Sequence, residues 1–501
     1  MVVPANIGGP TSGPGTGYMI EQALPFIAGS WRKTLSQKIA PSLNPSTGGV
    51  LGSYVLGTPE DIDDAVTAAG RAQFAWARVS AFERAAACER VASEIVARRG
   101  ELALLLSLDQ GKPLHAEAYD EVDELVVYFS MAAADATRGG GTMPPSTSAA
   151  RRVLSYRVPV GIVGAITPWN WPYTMAAELL APALASGNAV VWVPAPTTAL
   201  CSALLAGIIG EELPPGVFNF VPGAGQVVGA ALCRHAKVAA IGFIGSVASG
   251  AEVARNAAGK RQILELGGNG PMVILDDADL EVAVRASTEA AFLCAGQSCT
   301  AGELFLVHEA VHEEYLDLLL SVTASSVRLG DPLDPMTTMG PLNNGAVADK
   351  VASHVAEAKT AGAGVLMGGS RATGFATDLF YEPTVLDGVR PGMAIVDEET
   401  FGPVVPVLKV ATEAEALELL NSSLYGLTAA VFTRDLARGL AFAERAEVGW
   451  VNINASTNLW ESHVPFGGRA GSASGIGRVG GTSTHEAFTE PKTVTFVLEQ
   501  P

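Results

Sequence analysis

Four short stretches carry residue types that could act together on a carbonyl compound. AGQSCTAG holds Cys299 between the small residues Gly296 and Gly302. A thiolate is the side chain best able to add to a carbonyl carbon, and flanking glycines let a ligand approach closely. LELGGNG places Glu265 just ahead of Gly267 and Gly268, where a carboxylate held at a strand end suits a general base for water. ITPWNWP sets Asn170 in a turn constrained by proline and tryptophan, so that its amide can offer an N–H to an oxyanion. FIGSVASG reads as a strand followed by Gly245, Ser246 and Gly250 at a helix start, with free backbone N–H groups for a pyrophosphate. Each stretch also has a plain structural reading. A lone cysteine is commonly a small buried hydrophobe, which suits Cys294 better than Cys299, and FIGSVASG is not the G-x-G-x-x-G fingerprint.

A fifth stretch, HEAVH at 308–312, satisfies H-E-x-x-H literally. It follows the strand-like ELFLV and leads into EEYLDLLL, so both imidazoles are expected at a solvated helix start. No third ligand or Met-turn accompanies it, and a zinc protease is kept only as a minor alternative.

The elements that must position these residues alternate along the chain. Thr58-Pro59-Glu60-Asp61 reads as an N-cap, a proline at the first helical position and an acidic first turn. Further helical sequence runs to about residue 138, where GGGTMPPSTSAA breaks it as a loop. Strands and helices then alternate: SYRVPVGIVGAIT, TMAAELLAPALA, AVVWV, CSALLAGIIGEE, VFNFV, a helix near QVVGAALCRH, VAAIGFIG and a helix from about Val247. Such βα repetition predicts a parallel sheet of dinucleotide-binding type. A second βα series follows from about Pro271 to Ala470, and the terminal KTVTFVLEQ alternates like an edge strand. VVWVPAP at 190–196 reads as a strand buried on both faces and closed by proline, with no charged residue at its end.

With 501 residues, the chain exceeds the ~250–300 at which one core stops growing, so two or more domains are expected. A net charge of −19 argues against nucleic acid and anionic membrane as partners. No apolar run reaches ~18 residues, and the first residues lack a basic, continuously apolar leader. Residues 1–24 are expected to form a flexible extension, and a cytoplasmic location follows as the default. Five scattered cysteines suit free thiols in a reduced compartment.

Taken in order, ITPWNWP, GNAVVWVPAP, FIGS, LELGGN, GQSCTA, EETFGPV and PFGG resemble the aldehyde dehydrogenase superfamily over about residues 25–498. The resemblance implies an α/β fold: a Rossmann-like nucleotide-binding domain (25–139 and 161–272), a catalytic domain (273–484) and a β-hairpin oligomerisation arm (140–160 and 485–501). It implies Cys299 as nucleophile, Asn170 as the oxyanion-stabilising amide and Glu265 as the base of deacylation. Gly245 and Ser246 match the pyrophosphate turn, Glu399 the glutamate that holds the nicotinamide ribose, and Phe401 the aromatic beside the nicotinamide. Trp169 and Gly267 join the cofactor contacts. Lys112 in DQGKP and the stretch Pro465–Gly468 match landmarks read as structural. The implied reaction oxidises an aldehyde to the carboxylic acid through a thiohemiacetal and a thioester on Cys299, with NAD or NADP and no metal. A homodimer or homotetramer is implied.

Relatives carry a lysine and a glutamate in a VVLKPAE-like pattern where this chain has Val193 and Pro196. Losing the glutamate removes an acceptor for the adenosine ribose hydroxyls and also what would repel a 2′-phosphate. Losing the lysine removes the obvious cation for that phosphate. No Lys or Arg lies between Arg157 and Arg234, so the balance favours NAD, with NADP as the alternative. Glu178 stands where relatives often carry an aromatic. With Glu303 and Glu461 it is expected to repel a carboxylate if it faces the channel, while Trp171, Tyr173, Trp460 and Phe466 could line an apolar tunnel. A neutral apolar or aromatic aldehyde is therefore expected. The alternatives are a semialdehyde dehydrogenase or a CoA-acylating enzyme, though the latter generally lacks the base that Glu265 supplies. A nitrilase-like cysteine hydrolase or an inactive relative are more distant alternatives.

Overall fold

Runs of β-branched and apolar residues separated by amphipathic helices build two mainly parallel sheets that meet end to end. The computed structural model of the chain describes residues 21–498 apart from 35 and 37. The expected N-terminal extension lies largely outside the described residues, and its last part, Gln22–Ala23, pairs in parallel with Ser53 and Tyr54.

The first sheet has eight strands in the order Gly475–Ile476, Arg261–Glu265, Ala240–Ile244, Ile162–Ile166, Ala189–Val193, Phe218–Phe220, Phe26–Ile27 and Ser30–Trp31. The five from Arg261–Glu265 to Phe218–Phe220 run parallel, and the outer pairings are antiparallel. Every residue of Ala189–Val193 is buried, as its unbroken apolar run predicts. Helix Pro59–Trp76 covers this sheet, and its start is fixed by a reciprocal capping box between Thr58 and Asp61.

Chain order reverses between Ile162–Ile166 and Ala240–Ile244. In such sheets the crevice beyond the carboxyl ends at that point is where ligands bind. The residues that leave those two ends are Thr167–Asn170 and Gly245–Ser246.

The second sheet has seven strands: Gly364–Met367, Thr384–Asp387, Val404–Val410, Leu304–His308, Pro271–Ile274, Thr428–Phe432 and Trp450–Ile453. All pair in parallel except Gly364–Met367. The loops entering Pro271, Leu304 and Val404 carry Gly267–Gly268, Cys299 and Glu399, so the amino ends of this sheet face the carboxyl ends of the first. Outside both sheets, Arg151–Pro159 and Thr489–Val497 form an antiparallel ribbon paired over nine positions. Among the described residues no helix is long and apolar enough to cross a membrane.

The HEAVH segment does not form one helix. His308 ends a strand, and His312 begins helix His312–Ser326. The expectation of two solvated imidazoles is wrong for His312, which is buried with Nε2 2.9 Å from Asp387 Oδ1. Among the described residues no three His, Cys, Asp or Glu side chains gather as a metal site.

Candidate active site

Between the two sheets lies a cleft of about 370 Å³, large enough for a small substrate and the reacting end of a cofactor. Its walls include Cys299, Glu265 and Asn170, together with Trp169, Gly245, Ser246, Gly267, Glu399 and Phe401. Trp171, Glu178, Trp460 and Phe466 line the same space. Segments as far apart in the chain as Glu124 and Phe466 thus converge on one cavity. Val193 and Pro196 are not in its wall: Val193 is the buried end of its strand and Pro196 starts a single 3₁₀ turn.

Cys299 is half-buried in the loop between helix Leu280–Phe292 and strand Leu304–His308. Three consecutive residues upstream, Cys294, Ala295 and Gly296, adopt positive φ (53°, 53° and 73°). Such backbone is costly for residues with a Cβ and persists only where the surroundings impose it. Here Glu117 Oε1 accepts the Cys294 N–H at 3.0 Å, and the Gln297 side chain closes the loop onto Cys294 O at 2.8 Å. Asn170 Nδ2 donates to Gln297 O at 2.9 Å, which ties the amide to the cysteine loop and leaves its second N–H for another acceptor.

The double glycine after Glu265 is required by contact. A Cβ at Gly267 would lie 2.4 Å from Glu399 Oε1, and one at Gly268 2.5 Å from the Cys299 carbonyl oxygen. The strand end that carries Glu265 can therefore touch both neighbouring loops only as glycine. Gly268 N in turn donates to Glu399 Oε1 at 3.2 Å.

Burial sets the electrostatics. Both Glu265 oxygens are buried with no hydrogen-bond partner. Desolvation pushes its pKa up to about 8; the Cys299 thiol, close but short of a well-formed hydrogen bond, eases this and Glu399 adds to it. The Cys299 thiol is held well above its ordinary value by burial first and by the Glu265 charge second. Two groups that interact this strongly titrate as a pair. Glu399 is also raised, by burial, with Lys350 working against the shift.

Ser246 caps helix Val247–Asn256, its Oγ accepting from Ser249 N at 3.3 Å. The first N–H groups of that helix and its positive dipole end thus open at the point where strand order reverses. Trp169 and Phe401 meet edge to face at 5.7 Å. Phe401 itself sits at φ 60°, a strained conformation imposed by Glu303, whose carboxylate accepts the Thr400 and Phe401 N–H groups at 2.6 Å each.

Three expectations about the substrate channel are corrected. Glu303 is not in the channel but beneath Phe401, because two backbone donors claim its carboxylate. Glu461 is exposed and paired with His463. Tyr173 is fully buried behind the wall, its hydroxyl donating to Leu102 O at 3.3 Å. Glu178, by contrast, does face the cleft.

Sequence reading missed Lys350 and Glu124, which line the cleft from helices Gly345–Thr360 and Tyr119–Arg138. It also missed the network behind Asn170. Lys112 Nζ lies 2.6 Å from Glu121 Oε2, both side chains fully buried, and 3.0 Å from the centre of the Trp171 ring. Glu121 Oε1 accepts the N–H groups of Tyr173 and Thr174 at 2.9 and 3.3 Å, so this pair anchors the turn that carries Asn170. Burial opposes the lysine's charge, but Glu121 and its neighbours more than offset it. The i, i+4 spacing of Glu117 and Glu121 after DQGKP was the available signal. Replacing Lys112 by Met leaves Glu121 buried and unpaired, which is expected to cost about 3–5 kcal/mol. Thermal unfolding checks this, and an unchanged midpoint contradicts the role given to the pair.

Residues 31–494 match the sequence model of the Aldehyde dehydrogenase family. The chain belongs to the aldehyde dehydrogenase family. It is 36% identical over 473 residues to the mitochondrial succinate-semialdehyde dehydrogenase of Oryza sativa subsp. japonica, covering 93% of this chain and 88% of the relative. It is 38% identical over 467 residues to a benzaldehyde dehydrogenase [NAD(+)] of Pseudomonas putida, covering 92% and 94%. Among solved structures, betaine aldehyde dehydrogenase of Staphylococcus aureus in complex with NAD+ superposes with a TM-score of 0.92 at 34% identity, covering 96% of each chain. An NADP-dependent enzyme of E. coli does so with a TM-score of 0.91 at 33% identity, covering 95% and 98%. As an aldehyde dehydrogenase, the protein oxidises aldehydes with a nicotinamide cofactor.

Proposed function

We propose that Cys299 is the nucleophile, Asn170 the oxyanion donor and Glu265 the base for hydrolysis of the acyl enzyme. The observation that supports this most is the placing of a buried, unpartnered carboxylate beside a half-buried thiol in the cleft between the sheets. Cys299 Sγ, once deprotonated, adds to the aldehyde carbon. The alkoxide that forms needs donors where its charge appears, and the free N–H of Asn170 Nδ2 and the Cys299 backbone N–H supply them. Loss of hydride leaves an acyl thioester on Cys299. Glu265 then takes a proton from water as its oxygen attacks the thioester, and the acid departs with the thiolate restored.

The cleft fits the nicotinamide end of a dinucleotide. The Ser246 cap and open helix end suit the pyrophosphate, Glu399 the nicotinamide ribose, and Trp169, Gly245, Gly267 and Phe401 the space between. When bound, the cofactor accepts the hydride and brings a positive charge toward the thiol. We assign the adenosine end to the region of Val193 and Pro196, in a stretch with no Lys or Arg between Arg157 and Arg234 to meet a 2′-phosphate, which favours NAD over NADP.

For substrate, the aromatic walls of Trp171, Trp460 and Phe466, with Trp460 and Phe466 in contact at 5.4 Å, favour an apolar or aromatic aldehyde. A carboxylate-bearing semialdehyde would have to desolvate its charge against these aromatic walls, which disfavours it. Steady-state assays at 340 nm are expected to show turnover of benzaldehyde and hexanal with NAD. Succinate semialdehyde as the only good substrate, or a kcat/KM for NADP tenfold above that for NAD, contradicts the corresponding assignment. The ribbon of Arg151–Pro159 and Thr489–Val497 exposes Val494, Phe496 and Val497, an edge suited to joining a second copy in a homodimer or homotetramer. Light scattering measures that mass, and a monomer refutes it.

A further inference from the structure

Glu178 is the one residue in the walls of both cavities described for this protein. On one side it borders the main cleft, and on the other a cavity of about 10 Å³, room for a single water. The small cavity is walled by Tyr128, Asp135 and Ser462, and Asp135 reaches solvent beside Arg138. Tyr128, in the wall of the small cavity, donates its hydroxyl to Glu178 Oε1 at 3.2 Å, and among the described residues nothing hydrogen-bonds Oε2.

Resting on Glu265 as the hydrolytic base, we propose that Glu178 relays protons. It accepts, through water in the main cleft, the proton that Glu265 has taken from the hydrolytic water, and releases one to the small cavity and Asp135. The protons balance at each stage. Water gives its proton to Glu265 and its oxygen to the acyl carbon. The Cys299 sulfur leaves as thiolate with the electron pair of the C–S bond. The Glu265 proton then passes by water to the Glu178 carboxyl as the proton already held there leaves for the outer water; rotation of the carboxyl resets it for the next turnover, and no group is oxidised or reduced.

With the acyl group and cofactor occupying the cleft, a carboxyl that borders both cavities offers the Glu265 proton a second way out. The groups that face Glu178 fit the role. Burial keeps its carboxyl well above the usual range, with Glu265 and Glu124 adding to the shift, so it holds a proton more tightly than an ordinary carboxyl. Tyr128 is likewise held far above its usual value, by burial and then by Glu178, and remains a donor. The strands under helix Thr174–Ala185, which carries Glu178, are Ile162–Ile166 and Ala189–Val193, and they bring no charge. The helix Gly481–Ala487 brings His485, whose interaction is with Asp135 beyond the small cavity.

The test is Glu178→Gln, which preserves shape but cannot pass a proton. With a turned-over aldehyde and NAD, the first-turnover rate of NADH formation is expected within twofold of the parent. Steady-state kcat should fall about tenfold or more, and exposure to imidazole or formate should restore it in proportion to concentration. Ser462→Leu, which fills the small cavity and leaves Glu178 in place, is expected to lower kcat in the same way and keeps the test open if Glu178→Gln does not fold. A kcat within twofold of the parent in both variants overturns the relay, as does a first-turnover rate that falls in step with kcat. A parent enzyme that forms no acyl intermediate overturns the relay and the reading it rests on together.

Discussion

Replacing Cys299 by alanine is expected to abolish aldehyde oxidation, with kcat/KM down by about 10⁴ or more, while the fold and NAD binding persist. The magnitude follows from removing the only atom able to carry the acyl group: with no sulfur in place, no thiohemiacetal forms and the hydride has no tetrahedral donor. Cys294 cannot substitute. Its thiol is buried among Gln110, Lys112 and Glu117, and burial pushes its pKa up to about 12. Stability should change little, because Cys299 is half-buried and its sulfur makes no geometrically formed hydrogen bond. Steady-state kinetics and cofactor binding by fluorescence check this. Residual activity above a few per cent rules out Cys299 as the nucleophile.

Glu265→Gln carries the second large effect and separates the two halves of the reaction. The amide is neutral at every pH and cannot accept a proton from water, so hydrolysis of the acyl enzyme should slow by about 10²–10⁴. The first turnover of NADH should survive, since addition and hydride loss depend on Cys299 and Asn170. The parent's pH profile has a definite sign. The base works only when ionised and its pKa lies near 8, so hydrolysis should rise with pH from 6 to about 8 and then level. Glu265→Gln should lose that dependence. It should also relieve the Cys299 thiol of a neighbouring negative charge above pH 8, where the parent's Glu265 is ionised, and so quicken alkylation by iodoacetamide in that range. A variant whose first turnover and steady state fall equally contradicts this division of labour.

Much of this site is written in local sequence because its parts are short and chemically distinctive. Gly267 and Gly268 signal close contact wherever they occur, and the structure shows the contacts to be Glu399 and the Cys299 carbonyl. The Ser246 cap and the strand before it are legible for the same reason. What sequence hides is which side chains long-range packing assigns to which surface. Glu303 and Glu178 are both buried acids in apolar surroundings. Backbone donors at 400 and 401 claim the first, and the cleft receives the second. Tyr173 follows the PWNWP turn and looks like a channel aromatic, yet the helical phase set by the Glu121 cap turns it inward. His312 matches a zinc motif by spacing, but its strand partner ends the pattern and Asp387 satisfies its ring. Lys112 and Glu121 lie nine residues apart, and nothing local shows that they meet beneath Trp171.

The account stands on an acyl thioester forming at Cys299 in a cleft where Glu265 removes it. Incubating Glu265→Gln with benzaldehyde and NAD, quenching in acid and digesting for mass spectrometry tests that directly. A benzoyl adduct on the peptide containing Cys299, absent without NAD, is the predicted result. The contradicting result is an adduct confined to Cys88, Cys201, Cys233 or Cys294, or NADH formation with no adduct on any cysteine.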